Sequence, residues 1–479
     1  MKFVLLWTDL ALWLMTAAVL AYAWRVKAQA NLRATWERVL RDPVAACAGV
    51  VMGLFLLVTL VDSFHLRRAL PSENGSTVYD TRTLSALDLV LARQIAMREV
   101  SYSLPLGTHG FNKESLGEAG GEARRDYPRL QFGGAHLADP ATQWAGDVLA
   151  RAGGGLLGGL VVALLLLALA AACLARQHGG WRHALADLAA DRTVYPLRAM
   201  LLTLGVVLLL AGPVVALMPH YHVFGTDRTG NDVLVQALKS VRTAFVIGAL
   251  STLATLPIAL LLGVLAGYYK GWVDEVIQYV YTTLSSVPNV LLIAACVLMV
   301  QVFFDKNPEL FETAAERSDL KMLMLCLILG LTGWAGLCRL VRAETLKVRE
   351  LDYVQAATAF GVGDVAVMAR HIVPNVMHLV LITVVLSFSE LILYEAVLTY
   401  IGVGVDPLMN SFGSMINLAR SEMSRDPVVW WSFAAAFGFM VCLVLAANLF
   451  ADGVRDAFDP KARSARPRVF PRRKAGADA

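Results

Sequence analysis

Glu390 and Glu395 stand in an otherwise apolar run at 376–401. A carboxylate within hydrocarbon is costly, so such acids face a water-filled path, a partner or another polar group. They are candidates for lining a translocation path or for bracing a second membrane subunit. In an ion-driven carrier they would take up and release protons. His220 and His222 form a second polar pair, at the edge of another apolar run. A His-x-His pair could ligate a transition metal, but two imidazoles alone make a poor site. The expected role is an interfacial polar pair with no metal, and Asp9 is expected to be interfacial as well. Signatures of catalysis are missing. No Gly-x-x-x-x-Gly-Lys-Ser/Thr loop cradles phosphates, and no His-Glu-x-x-His helix binds zinc. Basic residues do not interleave with aromatics as a nucleic-acid surface would require. The expectation is a chain that is not an enzyme and binds no cofactor or nucleic acid itself.

A polar stretch of a different kind lies at 339–375. Within it Tyr353, Ala356, Ala357 and Phe360 recur at helical spacing on one face. Gly361 then offers a helix stop, and Asp364 a new start. A second short helix over 366–371 is expected to end at Pro374. Two short helices fixed to membrane spans suit the transmission of force. Small alanines admit close approach, while Tyr353 and Phe360 would anchor the contact. Periodicity alone favours a plain amphipathic helix resting on lipid.

The elements that must hold these residues follow from hydropathy. Of 479 residues 57% are hydrophobic and only 17% charged, against about a quarter charged in soluble domains. Apolar residues fall in runs of about twenty, enough for a helix to cross a bilayer. Nine spans are expected, near 3–24, 44–63, 150–175, 198–218, 244–268, 278–303, 320–341, 376–401 and 430–451, giving an all-α polytopic bundle. The first run, with Lys2 alone before it and Ala21 to Ala23 near its end, is read as a retained span rather than a signal peptide. Basic segments follow the first span (Arg25, Lys27, Arg33, Arg38, Arg41), occupy 176–198 and form the tail, all on one face if nine spans start outside. That orientation puts the loop 64–148 outside, with a short amphipathic helix over 84–95 and a glycine-rich stretch at 117–121. The six cysteines lie within or beside apolar runs, which argues against a disulfide framework. The expected organisation is 1–63, two spans and a basic linker; 64–148, the outer loop or small domain; 149–218, two further spans; 219–460, a membrane core with a cytoplasmic loop at 349–375; and 461–479, a basic tail. Gly263 and Gly267, four apart, would let two helices approach closely.

Several stretches carry a family resemblance. Gln355-Ala356-Ala357, three residues, Gly361, nine residues and His371-Ile372-Val373-Pro374-Asn375 resemble the Glu-Ala-Ala loop of binding-protein-dependent ABC importers, with glutamine where glutamate is usual. The His-Ile-Val-Pro-Asn form is similar to that of dipeptide and oligopeptide permeases. Gly225, Thr226, Asp227, Gly230, Asp232 and Val233 resemble the outer segment of their C-type subunit, and Arg242 fits the arginine that follows it. Gly267-Tyr268-Tyr269, Pro288, Glu395, Gly402, Gly404 and the stretch from Asn448 to Pro460 continue the likeness over about 220–465. The resemblance implies a type I ABC importer permease fold in the C-terminal half, in a bacterial inner membrane. It implies pairing with a second permease, two ATPase subunits that hold ATP and magnesium, and a periplasmic solute-binding protein. Tyr353, Gln355, Ala356, Ala357, Phe360, Gly361, Asp364, His371 and Pro374 would then form the ATPase contact. Peptides are the implied cargo, with nickel or another small solute as the alternative within the family and an ion-coupled carrier as the alternative outside it.

Overall fold

Apolar runs without water to satisfy their backbones must hydrogen-bond internally, and here they do so as helices. The computed structural model describes residues 2–70, 78–116, 124–178, 180–311 and 313–458. The basic tail and the glycine-rich stretch at 117–121 lie outside the described residues. In chain order the helices are α1 (Trp7–Ala28), α2 (Ala30–Arg41), α3 (Pro43–Asp62), α4 (Ala86–Val90), α5 (Ala92–Ala96), α6 (Pro140–His178), α7 (Trp181–Ala189), α8 (Leu197–Leu217) and α9 (Val233–Tyr269). They continue as α10 (Gly271–Ser286), α11 (Asn289–Lys306), α12 (Ala314–Arg349), α13 (Asp352–Ala359), α14 (Asp364–Val367), α15 (Val373–Tyr400), α16 (Phe412–Glu422) and α17 (Trp431–Phe458). Among the described residues nine helices are long and apolar enough to cross a membrane.

The expected spans are present, and three of the expected helices differ in detail. Span six is not one helix over 278–303: Val287 and Pro288 break it into α10 and α11, because proline withholds a donor from the ladder and forces the residue before it to extend. Pro374 does not end the second short helix. A π-helical turn over Met368–Ile372 absorbs the missing donor, and the chain runs on into α15. The helix expected over 84–95 is two short ones, α4 and α5, the first started by a Ser85–Asp88 capping box.

Short strands, unforeseen in an all-helical reading, pair at the N-terminus and within the loop 64–148. They are β1 (Lys2–Val4), β2 (His65–Arg67), β3 (Ala69–Leu70), β4 (Val78–Tyr79), β5 (Leu84–Ser85), β6 (Glu114–Leu116) and β7 (Arg124–Asp126). The antiparallel order β1-β2-β5 sets Lys2 opposite Arg67 and His65 opposite Ser85. The N-terminal strand therefore shares an end of the bundle with the start of the loop 64–148, as the two spans between them require.

The helix pair α9–α12 forms the spine. Glycines set its spacing: a Cβ on Gly263 would fall 2.8 Å from Val341, one on Gly267 2.6 Å from Thr345, and one on Gly330 2.5 Å from Ala254. The backbones touch where those side chains are missing. Around the inner half of the spine, Trp334, Val341, Val354, Val367, Ile372 and Val376 form one continuous buried cluster.

Candidate functional site

Local chemistry shapes the inner loop. α13 ends in a Schellman motif: Val362 N–H donates to the Ala357 carbonyl at 3.1 Å and Gly361 N–H to that of Thr358 at 3.0 Å. The turn needs φ near +79° at Gly361, which a side chain would strain. Only one face of α13 is held. Val354 is buried in the cluster beneath it, whereas Tyr353, Gln355, Ala356 and Phe360 are exposed and Ala357 is half-buried. Phe360 is 89% exposed, a large apolar ring that no described residue covers. The loop is nevertheless rigidly mounted. Tyr268 Oη donates to Asp364 at 2.8 Å, Asn375 Nδ2 to Tyr353 Oη at 2.8 Å, and Arg349 reaches the Tyr268 carbonyl. His371 stacks obliquely near Tyr353, and Pro374 sits exposed at the start of α15. Asp274 is gripped by Arg342 at 2.5 and 2.6 Å, fixing the foot of α10 to the spine. That hydrogen-bonded guanidinium holds the Asp274 carboxyl below its usual range.

At the opposite end, the segment 224–233 is a tight double turn. Gly225 and Gly230 take φ of +70° and +77°. Asp227 Oδ1 accepts from the amides of Thr229 at 2.8 Å and Asn231 at 2.9 Å, and Asp232 caps α9 through Leu234 N–H at 2.9 Å. The inserted loop docks on this segment. Ser103 N–H donates to Thr226 Oγ1 at 2.7 Å, Thr226 Oγ1 donates to the Ser101 carbonyl at 2.8 Å, and Glu99 N–H donates to the Gly230 carbonyl at 3.0 Å. A Cβ on Gly230 would lie 1.8 Å from the Glu99 carbonyl oxygen. From the other side Trp431 Nε1 donates to the Thr226 carbonyl at 2.9 Å.

The two histidines do not behave as one interfacial pair, because the insert closes over one of them. His222 is 1% exposed, with Nδ1 2.9 Å from Asp232 and Nε2 3.6 Å from Glu99. Glu99 also accepts from the amides of Gln131, Phe132 and Gly133. Burial works against the imidazolium, but the carboxylates of Asp232 and Glu99 outweigh it and hold His222 up at about 9. Burial likewise opposes Glu99 ionisation, yet His222 and the three amides bring it down to about 2. His220 faces elsewhere: Arg151 donates to its Nδ1 at 3.2 Å, and burial with that guanidinium holds it below the usual imidazole value.

Asp9, expected to be interfacial, is fully buried because the family-like arginine reaches it. Arg242 Nη2 donates to Asp9 Oδ1 at 2.6 Å and Thr8 Oγ1 at 3.1 Å, while His65 Nδ1 lies 2.7 Å from Asp9. Thr8 N–H donates to Asp319 at 3.0 Å, and Asp319 stands 3.8 Å from Arg242. α1 is thereby bonded to both helices of the spine. Arg242 itself lies inside α9, which begins well before the expected span at 244. Glu390 is exposed on α15, whereas Glu395 is 0% exposed and accepts from Thr399 Oγ1 at 2.8 Å. The five-residue separation sends the two acids to different sides of one helix. Thr8, Glu99 and Asp319 escaped sequence reasoning. Asp319 stands in the polar first turns of α12, close to Arg317 and Lys321, and Glu99 in a polar loop, so neither offered a signal.

A family model described as "Binding-protein-dependent transport system inner membrane component" matches residues 259–464. The oligopeptide transport system permease protein OppC of Mycobacterium tuberculosis (strain ATCC 25618 / H37Rv) is 31% identical over 245 residues, 51% of this chain and 78% of that protein. The chain belongs to this family of binding-protein-dependent permeases. Escherichia coli K12 OppC is 30% identical over 246 residues, 51% of this chain and 74% of its own length. The glutathione transport system permease protein GsiD of Pectobacterium atrosepticum is 31% identical over 243 residues, with 51% and 74% covered. The family match lies wholly in the C-terminal half and includes α13 and Gly361. As a permease of this family, with nine helices among its described residues suited to crossing a bilayer, the chain is a multi-pass membrane protein of a transport system.

Proposed function

We propose that this permease imports short peptides across a bacterial inner membrane, paired with a second permease, driven by two ATPase subunits and supplied by a periplasmic solute-binding protein. The observation that carries the reading is α13: an exposed face of Tyr353, Gln355, Ala356 and Phe360 on a rigidly mounted loop, at the inner end of the spine. An aromatic left bare on a rigid platform is what a groove on a partner requires. ATP and magnesium would be held by the ATPases. Peptide cargo is supported by what the relatives are named for. The insert that covers the turn at 224–233 would receive the binding protein. The ion-driven alternative needs an acid in contact with water; Glu395 is enclosed, and Glu390 alone recommends nothing. The test is purification of the tagged chain in mild detergent, followed by peptide uptake in cells that carry or lack it. Stoichiometric recovery of a second permease and ATPases, with uptake that needs the chain, supports the reading. Recovery of this chain alone, with uptake that follows the proton gradient, refutes it.

A further inference from the structure

Between the outer ends of α9 and α12 and the inserted strand β5 lies an open cavity of about 620 Å³. Small-molecule sites commonly occupy about 300–1,000 Å³. Its walls come from both halves of the chain. The N-terminal half contributes Asp62, Arg82 and Asp88, and the permease half contributes Lys239, Arg242 and Asp319. Three carboxylates thus face three cations. A simple anion would meet the acids, and a simple cation the bases. A ligand carrying both charges, set apart, meets neither penalty.

The bonding within the wall shows where each end would go. Lys239 and Asp88 are committed to each other as an ion pair at 2.5 Å. Arg242 uses Nη2 on Thr8 and Asp9, but its enclosed Nε has no hydrogen-bond partner, and the residue is 5% exposed. A buried donor without an acceptor is costly and rare. Arg82 is exposed at the rim, and no described residue forms an ion pair with it. Both spare donors are guanidiniums, suited to a carboxylate. On the acidic side, Asp62 Oδ1 accepts from Ser85 Oγ at 2.6 Å, and its second oxygen has no hydrogen bond among the described residues. That oxygen is free for an ammonium.

We propose that this cavity is an outer subsite for short zwitterionic peptides, with the peptide carboxylate at Arg242 and Arg82 and the amino terminus at Asp62. The proposal rests on the peptide-import reading above, since it names a resting place for that cargo. It also gives the added N-terminal half a role, because the family core alone supplies only one side of the wall.

Calorimetry on the full chain in lipid nanodiscs, with trialanine as probe, tests the site. N-acetyl-trialanine amide, which has neither terminal charge, is expected to bind at least about tenfold more weakly. Arg82→Gln, at the exposed rim, and Asp62→Asn, which keeps the Ser85 bond, should each weaken trialanine by a similar factor and leave the unfolding midpoint in place. Equal binding of free and blocked peptide, no binding at millimolar peptide, or two variants indistinguishable from the parent overturns the subsite. Whole-cell uptake of trialanine separates this failure from failure of the import reading. Charge-selective binding by a chain whose deletion leaves uptake unchanged refutes import and keeps the site. Uptake that needs the chain, without charge-selective binding, refutes the site and keeps import.

Discussion

Replacing His222 by glutamine should loosen the outer insert from the permease core, and the loss should depend on pH in one direction. His222 sits between Asp232, which caps α9, and Glu99, which gathers three amides of the insert. Its folded pKa of about 9 lies above the ordinary 6.5. The stabilisation is therefore fully present below pH 6.5 and is lost as pH rises through about 9. A gap of that size corresponds to roughly 3 kcal/mol. The low value at Glu99 reports the same attraction and is not added to it. The assay is the apparent thermal midpoint by intrinsic fluorescence, in detergent, between pH 6 and 9.5 for parent and His222→Gln. The parent midpoint should fall across this range, and the gap between the proteins should narrow as it falls. Parallel curves would mean that His222 carries no charge in the folded protein, and the reasoning from its two carboxylates would be wrong.

Gly230→Ala places a Cβ 1.8 Å from the Glu99 carbonyl oxygen at a φ of +77°, so the insert must shift. Trypsin should then cut faster at Arg98, whose Nε donates to the Thr229 carbonyl; an unchanged rate rejects the docking. Gly361→Val meets no atom within 4 Å but imposes about 1–2 kcal/mol of backbone strain on the turn. It should keep the complex assembled while lowering uptake per ATP hydrolysed, and intact coupling would count against α13 as the drive surface. Arg242→Met strands Asp9 and Asp319 as buried acids and should cost about 3–5 kcal/mol. Adding Asp9→Leu should recover part of that loss in a double-mutant cycle; simple additivity would show that the pair is not coupled.

The parts legible in the sequence were those governed by local rules. Apolar length located the nine spans, and the alanine, glycine and aspartate spacing at 352–364 located α13 and its turn. Gly225, Gly230 and Asp232 entered through the family resemblance alone; the turn and the cap they make come from the structure. Illegible features depended on partners far along the chain. Thr8 bonds Asp319, 311 positions away, and Ser103 bonds Thr226, 123 away. No periodicity encodes such pairs, so Asp9 and His222 both read as interfacial. The two prolines failed differently. Pro288 and Pro374 both remove a donor, yet one breaks its helix while the other is absorbed by a π turn. The difference lies in the packing around Met368–Ile372, where Ile372 is fully buried and Val367 is held beside it.

These contacts also say how a push on α13 would travel. At the inner end, Tyr268 of α9 bonds Asp364, Arg349 of α12 reaches the Tyr268 carbonyl, and Lys270 pairs with Glu350 at 2.8 Å. Both helices of the spine are therefore tied to the loop, and a displacement of α13 cannot be taken up by either alone. Along the spine, Gly263, Gly267 and Gly330 bring backbone against side chain with no slack. At the outer end, roughly 40 Å further at helical rise, Arg242, Asp9 and Asp319 join the spine to α1. A packed body of this kind transmits a displacement without absorbing it. Compliance is left where the backbone ladder is interrupted, at Val287–Pro288 between α10 and α11 and at the π turn before α15. Motion driven from the inner loop should therefore bend the chain at those two breaks, with the spine and α1 moving as one piece.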